Sequence, residues 1–175
     1  PMYRGRLGVD NLNKKLQEML NPRQDGLKFG NRDIRIGDKV MQIRNNYDKE
    51  IFNGDIGKVA DIDKQAYRVT VNFDGRKIDY AREEINELVL AYAISVHKAQ
   101  GSEYQAVVLP LMTQHYIMLQ RNLFYTAMSR ARKLCCIVGS YKALHIAINN
   151  NKPVNRNCLL QQKLEAISKK NQKKE

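Results

Sequence analysis

The run Tyr67-Arg68-Val69-Thr70-Val71-Asn72-Phe73-Asp74-Gly75-Arg76-Lys77-Ile78-Asp79-Tyr80 sets the architecture of the middle of the chain. Val69, Val71 and Phe73 alternate with Arg68, Thr70 and Asn72, the period of a strand with one buried face. Asp74-Gly75 supplies two residues tolerant of positive φ, as a tight hairpin requires. Upstream, Gly37-Asp38 and Asn53-Gly54-Asp55 punctuate further β-prone runs at Lys39–Arg44 and Ile56–Ile62. Four or five short strands in about 55 residues predict a small barrel over residues 29–85. So short a segment has a marginal core of its own and is expected to lean on its host.

On either side the texture is different. Asp10 is expected to cap a helix with Leu12, Leu16, Met19 and Leu20 on its apolar stripe, ended by Asn21-Pro22. After the barrel, strands are expected at Leu88–Ile94, Ala106–Leu111 and Lys133–Val138, the last one buried. Helices are expected at Met118–Arg130 and Tyr141–Ile148, with a turn or short helix at Ser95–Gln100. Strands alternating with helices predict an α/β domain with a parallel sheet. The simplest arrangement makes residues 1–28 and 86–150 one discontinuous domain, with the barrel inserted and residues 151–175 a basic polar tail. In that tail Leu159, Leu160, Leu164 and Ile167 could share a helical face.

The chain has 175 residues, with 30 Lys and Arg against 18 Asp and Glu, a formal charge of +12. A basic chain suggests a polyanionic partner. The excess is uneven: residues 29–85 are neutral, residues 86–150 carry +4 and residues 151–175 carry +5. Cys135, Cys136 and Cys158 are too few and too irregularly spaced for a disulfide framework or a zinc site. Cys135 and Cys136 read as small buried hydrophobes, and a reducing, cytoplasmic compartment is expected. No apolar run approaches the roughly 20 residues of a membrane span. Pro1-Met2-Tyr3-Arg4 makes no signal peptide, and a start in mid-motif reads as an excised piece.

Two segments carry chemistry. In Ser95-Val96-His97-Lys98-Ala99-Gln100-Gly101-Ser102-Glu103 a polar cluster follows an apolar strand, where open α/β sheets bind ligands. Ser95, His97 and Lys98 can donate to phosphate oxygens, and Gly101 permits close backbone approach; a capped, solvated helix start is the plainer reading. In Tyr125-Thr126-Ala127-Met128-Ser129-Arg130-Ala131 a helix ends on Arg130, with Arg132 and Lys133 following. Cations at a helix C-terminus suit the macrodipole, but the planar fork of Arg130 also suits phosphoryl oxygens. In the barrel, Tyr47, Phe52, Tyr67 and Tyr80 offer stacking faces, although Tyr67 is expected to pack in the core. Asn45, Asn46, Lys49 and Asn53 form a polar loop suited to sugar-phosphate contacts.

The two segments resemble motifs V and VI of superfamily 1 helicases. Pro1-Met2-Tyr3-Arg4-Gly5-Arg6-Leu7-Gly8, followed by Leu12-Asn13, resembles the start of the second half of RecD/TraA-type helicases (exodeoxyribonuclease V alpha-subunit-like). Gly37-Asp38-Lys39-Val40-Met41-Gln42 with Asn53-Gly54-Asp55-Ile56-Gly57 resembles the SH3-like insertion of that branch. The resemblance covers residues 1 to about 145. It implies a RecA-like (P-loop NTPase-type) second motor domain interrupted by an SH3-like β-barrel.

The roles it implies follow the motif positions. Arg130 would be the arginine finger reaching ATP; Gln100, Gly101 and Glu103 would lie near the nucleotide. Ser95, His97 and Lys98 would touch the backbone of single-stranded DNA, with Asn45, Asn46 and Asn53 helping from the barrel. Tyr125 and Thr126 would couple the two sites. ATP and Mg2+ would be held mainly by an N-terminal RecA-like domain of the same full-length chain. That expectation follows because the sequence matches no GxxxxGK[ST] loop, Walker B carboxylates or motif IV arginine. The implied activity is ATP-dependent translocation and duplex unwinding, in DNA repair or recombination, with the fragment alone inactive. The competing readings are a non-catalytic nucleic-acid-binding module and a nuclease. The nuclease is disfavoured by the lack of clustered Asp and Glu in residues 86–150.

Overall fold

A computed structural model describes residue 5, residues 7–30 and residues 32–151. All but the first of the residues read as a basic tail, and most of the opening motif, lie outside that range.

The barrel forms where the alternation is clearest. Strands β3 (Lys39–Gln42), β4 (Ile56–Asp63), β5 (Arg68–Phe73) and β6 (Arg76–Tyr80) follow a short hairpin of β1 (Leu27–Phe29) and β2 (Arg32–Ile34). The larger antiparallel sheet has the order β6-β5-β4-β3-β7, where β7 is Leu88–Leu90. Asp74 and Gly75 take φ of 48° and 97° in the β5–β6 turn, as the hairpin needs. Val69, Val71 and Phe73 point inward with Val40, Ile51, Val59, Tyr80, Ile85 and Leu88. Inside this core the Tyr80 hydroxyl donates to Gln42 Oε1 at 3.0 Å, and Gln42 Nε2 donates to Glu87 at 2.8 Å. Burial, followed by the nearby carboxylates, pushes the Tyr80 hydroxyl pKa upward.

The remaining elements make an α/β unit. Strands β8 (Tyr104–Leu111) and β9 (Ala131–Gly139) pair in parallel, linked through helix α2 (Arg121–Met128). Helix α3 (Tyr141–Asn149) follows, its first turn capped by the Ser140 hydroxyl, which accepts from the Ala143 N–H. Leu111, Leu119, Ala143 and Ala147 form a second, smaller core.

Several expectations are corrected. Helix α1 (Val9–Leu20) starts after Gly8, and Asp10 lies in its first turn without capping it. Its buried positions are Val9, Asn13 and Gln17, while Met19 and Leu20 face solvent. The amides lie inside because they find polar partners there, a possibility the apolar stripe does not reveal. The strand expected at Leu88–Ile94 is only three residues long and pairs with β3. It therefore belongs to the barrel's sheet and not to the parallel one. Helix α2 is shorter than Met118–Arg130, because a 3-10 segment at Thr113–Met118 precedes it. Strand β9 is largely open: Leu134, Ile137 and Val138 are exposed, Cys136 is exposed and Cys135 half-buried. Burial of a strand depends on what covers its faces, and the sequence of the strand alone does not carry that.

Lys49 braces the barrel. Its ammonium bridges Glu84 at 2.6 Å, donates to the Asp79 carbonyl at 2.8 Å and sits over the Tyr80 ring. Burial alone would raise the Glu84 carboxyl, but hydrogen bonds from Lys49 and the Ala81 N–H outweigh it and hold the group below its usual range. A depressed carboxyl stabilises the fold above its unfolded pKa, about 4.3, and that contribution is lost as pH falls through the folded value. Lys49→Met is expected to cost about 1 kcal/mol at pH 7. The gap from wild type should close as denaturation is repeated below about pH 4.

Candidate functional site

Between β7 and β8 the chain runs through a hydrogen-bonded turn. Ala99 N–H reaches back to the Ser95 carbonyl at 3.1 Å, and the Lys98 N–H donates to Ser95 Oγ at 3.4 Å. Ser95 is therefore only 8% exposed and acts first as the brace of its own turn. His97 and Gln100 face solvent, and Lys98 is half-buried. Ser95 and Lys98 open onto a groove of about 770 Å³ that Asn13, Lys14 and Lys28 also line. Gly101 has φ of 83°, a conformation that disfavours any side chain, and the loop then turns into β8.

Helix α2 ends beside that loop. The Arg130 guanidinium donates to the Ser102 carbonyl at 3.2 Å, to the Thr126 carbonyl at 3.3 Å and to Ser129 Oγ at 3.3 Å. The Tyr104 N–H donates to the Arg130 carbonyl at 2.8 Å. These carbonyl and hydroxyl acceptors of the Arg130 side chain are neutral. Its charge is therefore uncompensated among the described residues, a condition that fits an anionic phosphate. Glu103, by contrast, pairs with Arg132 at 2.8 Å, both side chains more than half exposed. Tyr125 is open to solvent, while the Thr126 hydroxyl donates to the Asn122 carbonyl at 2.8 Å. Ser102 and Tyr104 are thus tied to Arg130 at the end of α2, and Glu103 between them to Arg132 at the start of β9. Among the described residues no group of three His, Cys, Asp or Glu could hold a metal ion.

The barrel loop forms a second group. Asn45 Oδ1 accepts from the Asn53 N–H at 2.9 Å, and Asn46 Oδ1 accepts from the Lys49 N–H at 3.1 Å. Asp55 accepts from the Phe52 N–H at 2.8 Å, and Asn46 bridges Ile51. The side-chain oxygens of Asn45 and Asn46 thus hold the loop in shape, and the Lys49 ammonium is committed to Glu84. What the loop presents outward is a ring pair, Tyr47 and Phe52, 74% and 47% exposed and edge to face at 6.0 Å. Tyr80 is core. Tyr67, expected in the core, is exposed at a φ of 50° with Arg82 over its ring at 4.8 Å.

Comparisons with known proteins bear on the family and the fold. The family described as "ATP-dependent RecD-like DNA helicase SH3 domain" matches residues 12–73, and that described as "UvrD-like helicase C-terminal domain" matches residues 90–138. The ATP-dependent RecD2 DNA helicase of Deinococcus radiodurans is 41% identical over 92% of this chain. The chain belongs to the RecD-type helicases of superfamily 1. It spans 22% of that relative's length. The RecBCD enzyme subunit RecD of Haemophilus influenzae is 34% identical over 81% of the chain, which spans 21% of it. Among solved structures, Pif1 helicase from Bacteroides in complex with ADP-AlF3 and ssDNA aligns over 90% of the chain and 43% of its own, with a TM-score of 0.57 at 22% identity. The fold is therefore that of a RecD-type helicase: α/β, RecA-like, with a parallel strand pair and an SH3-like antiparallel insertion.

Sequence reasoning missed Arg132 as the partner of Glu103, and the polar contacts of Asn13, Gln17 and Asp38 behind the turn. The recurrence of amides at Asn13, Gln17 and Asn21 is the one signal that could have shown the latter. Because Glu103 sits in an exposed pair, Glu103→Ala is expected to leave Tm within about 2 °C of wild type. A fall of about 5 °C would make the pair a structural element of the loop.

Proposed function

We propose that this chain is the second motor domain of an ATP-dependent DNA helicase that translocates on single-stranded DNA and unwinds duplex. The observation that carries the reading is Arg130, a half-buried arginine without a described acidic partner at the meeting point of the two motif segments. Its fork is proposed to stabilise charge on the phosphates of ATP presented by an N-terminal RecA-like domain with Mg2+. Gly101 allows the loop to pass close to that nucleotide, and Gln100 and Glu103 flank it. ATP, when bound, supplies the phosphoryl chemistry; the residues of this chain position and neutralise. His97 and Lys98 are proposed to meet the DNA backbone, with Ser95 shaping their turn. Tyr125 and Thr126 lie between the nucleotide and DNA surfaces. Residues 1–28 and 86–150 are proposed as the motor part and residues 29–85 as the barrel. Leu88–Leu90 joins the barrel on its pairing with β3. Residues 151–175 remain the proposed tail. No helix among the described residues is long and apolar enough to cross a membrane; a cytoplasmic site of action is part of the proposal.

The test is Arg130→Ala in the full-length helicase. ATP turnover is expected to fall by about 10³-fold or more with single-strand binding retained. Unchanged turnover would favour a non-catalytic nucleic-acid-binding module. The fragment alone is expected to show no substantial ATP turnover.

In the barrel, Tyr47 and Phe52 are proposed to stack on unpaired bases, with Asn45, Asn46 and Asn53 holding the loop that presents them. Stacking is worth about 1–3 kcal/mol per base. Tyr47→Ala with Phe52→Ala is expected to weaken binding to a thymidine oligonucleotide by at least about tenfold. An abasic oligonucleotide of equal length should bind wild type and the double variant alike, since it offers phosphates without rings. Equal losses on both oligonucleotides would assign the rings to the phosphate backbone instead.

A further inference from the structure

The turn at Ser95–Gln100 and the barrel loop lie on separate parts of the fold, yet one face of α1 is bonded to the backbone just before the first and, through Asp38, to the start of the strand that carries the second. Asn13 and Gln17 stand about one turn apart on one face of the helix, and Asn21 follows as its C-cap. All three are buried. Asn13 Nδ2 donates to the Ala93 carbonyl at 2.9 Å while Asn13 Oδ1 accepts from the Ala93 N–H at 2.8 Å. The side chain thereby grips the backbone two residues before Ser95. Gln17 Nε2 donates to the Asp33 carbonyl at 2.7 Å and to Asp38 Oδ2 at 2.5 Å. Asn21 Nδ2 donates to the Ile36 carbonyl at 3.1 Å and to Asp38 Oδ1 at 2.7 Å. The Tyr92 hydroxyl, next to Ala93, donates to the same Asp38 Oδ1 at 2.9 Å. Asp38 leads directly into β3, and Gln42 at its end holds the barrel loop through backbone bonds with Gly54 and Asp55.

An apolar contact lets two surfaces slide, whereas paired amide bonds fix distance and direction. Helix α1 has leucines and a methionine available for packing and turns Met19 and Leu20 to solvent instead. We infer that Asn13, Gln17, Asn21 and Asp38 are positioning residues that hold the barrel loop and the Ser95–Lys98 turn in one register, so that a single DNA strand engages both at once. The inference rests on the DNA-binding reading above. None of the four touches the strand. Their signature is therefore a length effect: two sites held in register bind a spanning ligand far more tightly than either site binds alone.

The test uses the whole chain with thymidine oligonucleotides of about 4 and about 16 nucleotides, one reaching a single surface and one spanning both. Asn13→Ala removes both bonds to Ala93. Asp38→Asn keeps the shape but turns an amide donor toward groups that are themselves donors. Both variants are expected to bind the short oligonucleotide as wild type does and to lose about tenfold or more of the gain on the long one. Asn13→Ala should also speed amide exchange at Ala93, a readout that needs no DNA. Long-oligonucleotide affinity equal to wild type in Asn13→Ala, with Ala93 exchange accelerated, would overturn the inference. So would a wild type that shows no gain with length. Should Asp38→Asn fail to fold, Asn13→Ala at the other end of the ladder decides alone. A wild type that binds neither oligonucleotide fails the DNA reading itself, a result distinct from loss of the length gain.

Discussion

The fold turns on a buried carboxylate. Asp38 is fully buried and takes hydrogen bonds from Gln17, Asn21, Tyr92 and the Arg35 N–H. A carboxylate without such partners could not stay in that position, since desolvating a charge unpaired is far costlier than desolvating a neutral group. The four donors come from α1, from the turn before β3 and from the segment after β7. Each of those pieces is therefore fixed relative to the others by one pair of oxygens. Tyr92 registers the same environment: burial first, then its bond to Asp38, pushes its hydroxyl up to about 12.

This solves a problem of size. A barrel of about 55 residues buries a smaller fraction of its surface than a larger domain does and has little stability to spare. The usual remedy is a hydrophobic interface with the host, and α1 carries the residues for one. The chain uses polar bonds instead. Leaving any one donor unsatisfied costs about 1–3 kcal/mol, so the arrangement tolerates one geometry and penalises others. An interface of leucines would be as stable and less exact. In the proposed role, where the barrel presents a loop at a fixed place, direction is the scarcer property.

Legibility in the sequence followed the range of the interactions. Strands β4 to β6 were readable because alternation and the Asp74-Gly75 turn are local. The α3 helix and the β8 strand were readable for the same reason. The pairing of β7 was not, because Leu88–Leu90 looks the same whether its neighbour is β3 or a parallel strand. The inward face of α1 was misjudged because the reward for burying Asn13 and Gln17 lies at Ala93 and Asp38, far along the chain. Arg130 and the turn at Ser95–Lys98 were found through resemblance to known motifs; composition alone would have left them a helix end and a capped start. Asn45 and Asn46 were read as ligand contacts from their polarity, while the structure spends their side-chain oxygens on the loop itself.

The distribution of charge acquires a meaning from these bonds. The barrel is neutral in sum, and part of that balance is local: Arg35 pairs with Asp33, Lys49 with Glu84, Arg76 with Glu50, and Arg68 lies near Asp63 and Asp79. Such a surface gains little from counterion release, the term that dominates most binding to nucleic acid. In the proposed role, its contribution to a strand should come mainly from the Tyr47–Phe52 rings and from hydrogen bonds, which depend weakly on salt. Lys98 and Arg130 have no acidic partner among the described residues. Counterion release should therefore come mainly from the motor part and the tail. A two-part surface of that kind should keep part of its grip at ionic strengths that abolish binding by lysines alone. That part should vanish with the two rings, and the salt dependence of what remains should be unchanged.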